Sequence, residues 1–465
     1  MKYSILKITQ IVKGKLINIT KEKAAKKFVT SVNFDSRLLR KNSLFIPIAN
    51  HNNPKVYKIF SDYTIAKKDG HKFIKDAKKR GAIASFADHK VLTDLPLIVV
   101  SDTQLAFWSL AKNYLKKINP KKIAITGSNG KTTTKDIISS VLSKKYVVHH
   151  TIASQNNEIG VPKTILNMPN NTKILIVEMG MDHFGQLAAL SNLVKPDYAI
   201  ITMIGEAHLA FFKTRDRIAD AKMEIIKGLG KKGIFVYNGD EPLLLKRAFL
   251  FPGKKITFGQ NKNNDFQISD ISEKNKISFK INGKKYKINL LGKFNVFNAT
   301  AALAVIKNFK INSKQIQTTF NNLKISANRL QILKGQQKET IISDIYNSNP
   351  TAAKEAIRIL KNFPSSGKKI IVLGDMLELG KNELKLHLQL LPYLKKANFD
   401  KVILVGPLMK KLSTKIKSSW YGEKMINKLI INLENFLSKN DVVLLKASHA
   451  LHFEKIEKAL RFNKQ

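Results

Sequence analysis

One stretch constrains this chain more than any other: Lys121-Lys-Ile-Ala-Ile-Thr-Gly-Ser-Asn-Gly-Lys-Thr-Thr-Thr134. An apolar run of β-type composition, Ile123 to Ile125, stops at Gly127. Lys131-Thr132-Thr133 then opens a helical pattern through Ile137, Ile138 and Val141. Strand, glycine-rich turn and helix in that order make an anion cradle. Backbone N–H groups and the positive helix end face a phosphate, a lysine adds charge, and a hydroxyl reaches Mg²⁺. The loop residues are Gly127, Ser128, Asn129, Gly130, Lys131, Thr132 and Thr133, a Gly-x-x-Gly-Lys-Thr pattern. It is shorter than Gly-x-x-x-x-Gly-Lys-Thr because Ile125 stands where the first glycine falls. Alone, the segment also reads as a tight strand-to-helix turn with a solvated lysine.

A chain of 465 residues is too long for a single core and implies about two to four domains. It has no cysteine, which excludes disulfides and thiolate metal sites and suits a reducing compartment. Charges interrupt the N-terminus too often for a signal-peptide core, and no apolar run is long enough to span a bilayer. A soluble cytoplasmic protein without membrane insertion is expected. The formal charge of +47 raises a nucleic-acid or anionic-surface partner. Only nine of the basic residues are arginine, and the lysines run from end to end through strands, turns and helix faces. That dispersal describes solvated surfaces, so nucleic acid is not expected as the partner.

Residues 1–99 read as a small mixed α/β unit, with a strand at 43–48, a helix from Asp69 closed by Gly81, and a strand at 91–100. The polar stretch 50–68 reads as an inserted loop. Asp102 caps a helix to about Lys117, and Asn119-Pro120 marks a boundary. Residues 100–323 alternate strands (121–126, 173–179, 197–204, 233–237, 254–258) with helices (131–144, 185–194, 217–229, 296–309). An antiparallel meander with an Asn282-Gly283 turn follows at 264–290. Residues 324–465 alternate again, with strands at 340–346, 369–374, 401–405 and 441–446 and helices at 351–362, 382–397, 422–437 and 450–461. The fold expected is α/β in three domains: a mixed α/β N-terminal domain, a central P-loop ATPase-like parallel sheet, and a Rossmann-like C-terminal domain.

Two residues outside the loop suit its chemistry. Glu178 ends a predicted strand and His208 follows another, so both belong at the carboxyl edge of the sheet, where open α/β folds hold ligands. With Thr132 they make a reasonable set for Mg²⁺ on ATP phosphates. Glu178 also reads as a helix-capping partner, and His208 as a surface histidine.

Taken in order, the motifs resemble the Mur ligases, ATP-dependent amide-bond ligases of peptidoglycan precursor synthesis. The resemblance spans essentially the whole chain. It rests on Asp35-Ser-Arg37, Thr126 to Thr133, Asn156-Asn-Glu-Ile-Gly-Val-Pro162, Glu178-Met-Gly180, Glu206-Ala-His-Leu209 and Ala221-Lys-Met-Glu224. Asn295-Val-Phe-Asn298, Asn328-Arg329, Asp344-Ile-Tyr-Asn-Ser-Asn-Pro350 and Leu373-Gly-Asp-Met-Leu-Glu-Leu-Gly380 complete it. The last two carry the pattern of the dipeptide-adding branch.

The resemblance implies roles. Lys131 and the loop amides would hold the β- and γ-phosphates of ATP. Thr132 and Glu178 would hold one Mg²⁺ and His208 a second, with Lys222 joining as a carbamate. Asn298 would meet adenine, and Arg329 and Asp344 would contact phosphate and ribose. Ser36, Arg37, Asn156, Asn157, Asn347 and Asn349 would meet the substrates, UDP-N-acetylmuramoyl-tripeptide and D-alanyl-D-alanine, in a monomer. The alternatives are a family member adding one amino acid to the UDP-muramoyl dipeptide, and a decayed ATP-binding protein. Phe294 replaces a frequent histidine. Lys446-Ala-Ser-His449 replaces Lys-Gly-Ser-Arg, where Ala447 is expected to resist positive φ and His449 to be mostly neutral.

Overall fold

The computed structural model describes residues 1–48, 69–273 and 276–461. The expected inserted loop at 50–68 lies outside the described residues. Three open sheets organise the chain. The central one has nine strands, and the loop strand Lys121–Thr126 runs parallel between Ile174–Glu178 and Tyr198–Ile201. Val148–His150 flanks one side; Ile234–Asn238 and Lys254–Gly259 extend the other. The meander Phe266–Ser272, Ile277–Ile281 and Lys284–Ile288 closes that edge with antiparallel pairs. Both flanking strands come later in the chain and lie on opposite sides of the loop strand, so the chain crosses over it and a crevice opens at such a switch point.

The loop helix, Lys131–Leu142, is buried on nearly every side and packs on the helix Phe294–Ile306. Ala299, Ala301, Ala302 and Ala304 are fully buried there, and their small side chains let the two helices approach closely. The C-terminal sheet places Gln331–Lys334 antiparallel to Thr340–Asp344, then Val442–Lys446, Lys369–Gly374, Lys401–Val405 and Ser419–Tyr421 in parallel. The N-terminal sheet has the order Lys15–Ile17, Leu97–Val99, Ala82–Ala87, Ser43–Phe45, Ser31–Asn33. The helix Thr103–Ile118 packs both on Ile5–Val12 and on Gly160–Leu166 of the central unit, so one apolar cluster is continuous across both.

Several expected elements change. The strand expected over 91–100 is only Leu97–Val99. The helix expected over 217–229 is Arg215–Met223 followed by a 3₁₀ segment, Glu224–Gly228. Glu224 explains the break. Its carboxylate accepts from Gly185 N (2.7 Å) and Ala188 N (3.2 Å), capping the helix Gln186–Val194. The helix expected over 382–397 is two, Glu383–Leu388 and Leu391–Ala397, with Pro392 in the first turn of the second.

Candidate active site

Glu178 ends its strand opposite Ile125, and Asp344 ends its strand opposite Lys446, so both carboxylates stand at carboxyl sheet edges. The two edges face one another across the phosphate loop. Asn129 and Asn349 exchange amide hydrogen bonds (2.9 and 3.4 Å). Thr351 donates to Glu206 (2.7 Å), and Arg358 pairs with Glu273 at 2.6 Å. The link between the sheets is strained where it matters. Ser326 N is held by Asp136 (2.7 Å), and Asn328 and Leu330 both adopt left-handed φ (64° and 52°) on either side of Arg329. Each such residue costs on the order of 1 kcal/mol. The reward is placement: the Arg329 guanidinium lies 3.9 Å from the Tyr346 ring centre and 3.4 Å from the Thr132 hydroxyl.

Two cavities meet at the loop. The first, about 260 Å³, is walled by Lys131, Thr132, Asn156, Glu178, His208 and Asp182 among others. The second, about 420 Å³, is walled by Thr133, Phe294, Phe297, Asn298, Asp344 and Lys446 among others. Asn129, Gly130, Arg329 and Asn347 line both. Gly130 is at φ 86°, and a β-carbon on it would stand 2.2 Å from Asn298 Oδ1. Gly130→Ala is therefore expected to distort the junction and raise the KM for nucleotide roughly tenfold, equivalent to about 1.4 kcal/mol. Unchanged nucleotide affinity in a titration would contradict this geometry.

The first cavity brings opposite charges together: Lys131 and Arg329 share its walls with Glu158, Glu178 and Asp182. Glu178 is buried and accepts from the Thr132 hydroxyl and the Asn156 amide, both at 2.8 Å and both neutral. Burial lowers the Lys131 pKa, Glu178 opposes that shift, and Arg329 adds to it. The Lys131 ammonium bonds only to the Gly127 carbonyl, at 2.6 Å, among the described residues. Lys222 is 2% exposed, and among the described residues nothing accepts a hydrogen bond from it. Burial, then Lys131, push its pKa well below the ordinary lysine value. Lys222 lines neither cavity. Lys131, Arg329 and the loop amides offer an anion a place on one side of this cavity. Glu178, with neutral partners only, suits a hard cation beside it.

His208, at φ 63°, stands 2.7 Å from Glu378, itself at φ 63°. The two groups meet as a close polar contact between His208 Nδ1 and Glu378 Oε2. His208 also holds the Glu378 carboxyl below its usual range. The Glu378 carbonyl accepts from Ala210 N (2.9 Å), which fixes this junction on its main chain. Glu378→Ala is expected to lower kcat/KM about tenfold or more by freeing His208; wild-type kinetics would show that the pair is incidental.

Not every expected residue joins the site. Asn157 lines the first cavity, and its side chain also holds Ile159 N and Gly160 N at a helix start. Asn349 caps Pro350–Asn362 while bridging to Asn129. Asn298 donates to Asn295 (2.8 Å). Ser36 donates to Asp76 (2.7 Å), and exposed Arg37 pairs with Asp35; neither lines a cavity. Ala447 is buried without positive φ, so the expected backbone penalty is corrected. Its methyl group packs where a β-carbon on Gly374 would come within 2.8 Å. His449 stacks on Tyr346 (6.1 Å, 22°), and Phe294 walls the second cavity while packing on the C-terminal core. Sequence reasoning missed Tyr346, Asp182, Glu378 and Lys446 as site residues. Lys446 pairs with Asp344 at 2.9 Å and bonds the Asn347 carbonyl. Tyr346 and Glu378 lie inside quoted motifs, which was the available signal.

Comparison with known proteins agrees with this arrangement. Residues 125–306 match the Mur ligase middle domain, and residues 328–449 match the Mur ligase, glutamate ligase domain. The UDP-N-acetylmuramoyl-tripeptide–D-alanyl-D-alanine ligase of Bacillus subtilis is 37% identical over 99% of this chain and 98% of its own length. A crystal structure of MurF from Acinetobacter baumannii superposes with a TM-score of 0.83 at 24% identity, covering 98% of both chains. MurF ligase from Thermotoga maritima, solved in complex with ADP, gives 0.77 at 28% identity, covering 93% of this chain and 97% of that one. The chain belongs to the Mur ligase family, the ATP-dependent ligases that form amide bonds.

Proposed function

We propose that this ligase joins D-alanyl-D-alanine to the terminal carboxylate of UDP-N-acetylmuramoyl-tripeptide in peptidoglycan precursor synthesis, cleaving ATP to ADP and phosphate. The observation that carries it is the phosphate loop at the meeting point of two cavities walled by two different sheets. The likeness to ligases of that name over the full chain supplies the substrates. Residues 1–99 take the UDP end through Ser36 and Arg37, residues 100–323 hold ATP, and residues 324–465 present the dipeptide through Asn347 and Asn349. The protein works as a monomer in the cytoplasm in this reading.

The base and ribose lie in the larger cavity, adenine by Asn298 and ribose by Asp344, and the phosphates pass over Gly130 to Lys131 and the loop amides at the smaller one. The oxygen donors of Thr132 and Glu178, with His208 and a carbamylated Lys222, suit two Mg²⁺ ions, which would screen phosphate charge. Asn156 orients Glu178, and Asn156 and Asn157 border the carboxylate substrate. Lys131 and Arg329 draw the γ-phosphate and the attacking carboxylate together, two anions that repel in water. A carboxylate oxygen bonds to phosphorus, ADP leaves, and an acyl phosphate forms. The dipeptide amine then attacks the carbonyl carbon. The C–N bond forms, the amine loses a proton, and phosphate departs with that carboxylate oxygen. The contacts of Asn129 with Asn349 and of His208 with Glu378 close the two sheets around this intermediate and keep water out.

Tripeptide labelled with ¹⁸O in its reacting carboxylate is expected to release phosphate carrying one label per turnover. Unlabelled phosphate would rule out the acyl-phosphate route.

A further inference from the structure

Outside the ligase site, two carboxylates and two imidazoles of the N-terminal unit lie close together. Asp69 caps the 3₁₀ turn Gly70–Phe73, and Asp88 and His89 follow the strand Ala82–Ala87. The His71 side chain is 2% exposed. Asp69 Oδ1 accepts from His71 N (3.0 Å) and lies 2.7 Å from Nδ1. That fixes the ring and leaves Nε2 as the lone-pair nitrogen, the way a carboxylate orients a metal-bound histidine. Nε2 is buried, makes no hydrogen bond, and has Asp88 Oδ1 at 3.4 Å. The His89 ring stands 4.1 Å away, with Nε2 3.3 Å from Asp69 Oδ2 and Nδ1 2.8 Å from Asp88 Oδ1. Ligand atoms of Asp69, His71 and His89 all lie within 4.8 Å of one another.

We propose that Asp69, His71 and His89 form a divalent-metal site of the zinc type, with Asp88 beside it, distinct from the ligase site. Tetrahedral bonds of about 2.0–2.1 Å set ligand atoms roughly 3.3–3.4 Å apart. His89 Nε2 and Asp69 Oδ2 are 3.3 Å apart, and the three ligand atoms lie within 4.8 Å of one another, a spacing that small side-chain rotations would close onto an ion. Two imidazoles with a carboxylate select zinc, cobalt or nickel over magnesium, which takes oxygen ligands and keeps its waters. One face stays open, since His89 is half exposed, so an ion can enter. The ion would tie the 3₁₀ turn to the end of its neighbouring strand. None of the four residues lines either ligase cavity, so this site serves the N-terminal unit and not the phosphate chemistry.

The test uses the full-length protein, stripped of metal and held in millimolar Mg²⁺ to fill the ligase site. Titrated Co²⁺ is expected to give intense tetrahedral visible bands at one equivalent, which Zn²⁺ abolishes. His89→Ala, a change at the exposed ligand, is expected to weaken Co²⁺ binding at least tenfold, while Glu178→Gln leaves it unchanged. Histidine ¹⁵N NMR of the unaltered protein supplies a readout independent of variant folding: Zn²⁺ should shift His71 Nε2. Absent cobalt bands, bands indifferent to His89→Ala, bands lost in Glu178→Gln, or an unmoved His71 resonance would each overturn the site and leave a histidine–carboxylate network.

Discussion

Lys131→Ala is expected to lower kcat by on the order of 10²–10³-fold while leaving the fold intact. The side chain opens the loop helix at the wall of a cavity, so its removal enlarges that cavity and leaves the apolar core untouched. Among the described residues its ammonium bonds only to a carbonyl, and burial makes that charge costly. A bound phosphate reverses the balance, because the cation then has a full anionic partner in a poorly solvated place. The greatest gain comes as charge shifts between the γ-phosphate and the attacking carboxylate, so kcat should fall more than nucleotide affinity. Lys131→Arg should not rescue, since a planar fork cannot occupy the place of a point charge at the Gly127 carbonyl. Steady-state kinetics with ADP titration separates these effects. A variant whose KM alone rises would reduce Lys131 to a binding group.

The second large effect is expected at Lys222. Among the described residues nothing accepts a hydrogen bond from Lys222, and burial, then the cation Lys131, push its pKa well below the ordinary lysine value, which favours the neutral amine. A neutral amine adds CO₂: an N–C bond forms, one proton leaves, and the side chain becomes an anion. That anion reverses the repulsion with Lys131 and offers oxygen to a metal. Activity is therefore expected to fall several-fold in CO₂-depleted buffer and return with bicarbonate. ¹³C-bicarbonate should give a carbamate resonance that Lys222→Met lacks. Lys222→Met should lose on the order of 10²-fold in kcat.

The pKa shift also fixes the direction of a stability change. The folded-state value lies below the unfolded one, so the unfolded chain binds more protons between the two. Stability of the unmodified protein then rises with pH through that window, up to the ordinary lysine value of about 10.4. Lys131 and Lys446 are shifted the same way by burial and contribute with the same sign. Urea unfolding of CO₂-free protein at rising pH should show a steeper gain than Lys222→Met. Parallel curves would mean that Lys222 is charged in the fold.

The phosphate loop was legible because its glycines, lysine and hydroxyls are consecutive and the flanking periods switch from strand to helix. Glu178 was legible because a strand end can be read from an apolar run, and Asp344 because it opens a motif of the family the chain resembles. The helix over 217–229 failed because Glu224 caps a different helix, and a partner 39 residues away has no local trace. Strands Ser31–Asn33 and Ala82–Ala87 escaped notice: one is only three residues long, the other rich in alanine, which packs well but has little β preference. The pairs Asn129–Asn349, His208–Glu378 and Glu206–Thr351 join residues far apart in the chain and exist only once two sheets face each other. Ala447 misled because a glycine in relatives suggested positive φ, where the need is space beside Gly374.

The most direct test is phosphate release by purified protein with ATP, Mg²⁺ and UDP-N-acetylmuramoyl-tripeptide, scanned over amine acceptors, with the product weighed by mass spectrometry. D-alanyl-D-alanine should give one phosphate per ligation and a product heavier than the tripeptide substrate by the dipeptide less water. Single amino acids should give none. Turnover with a single amino acid on the UDP-muramoyl dipeptide, or no phosphate release with tripeptide and D-alanyl-D-alanine, would contradict the account.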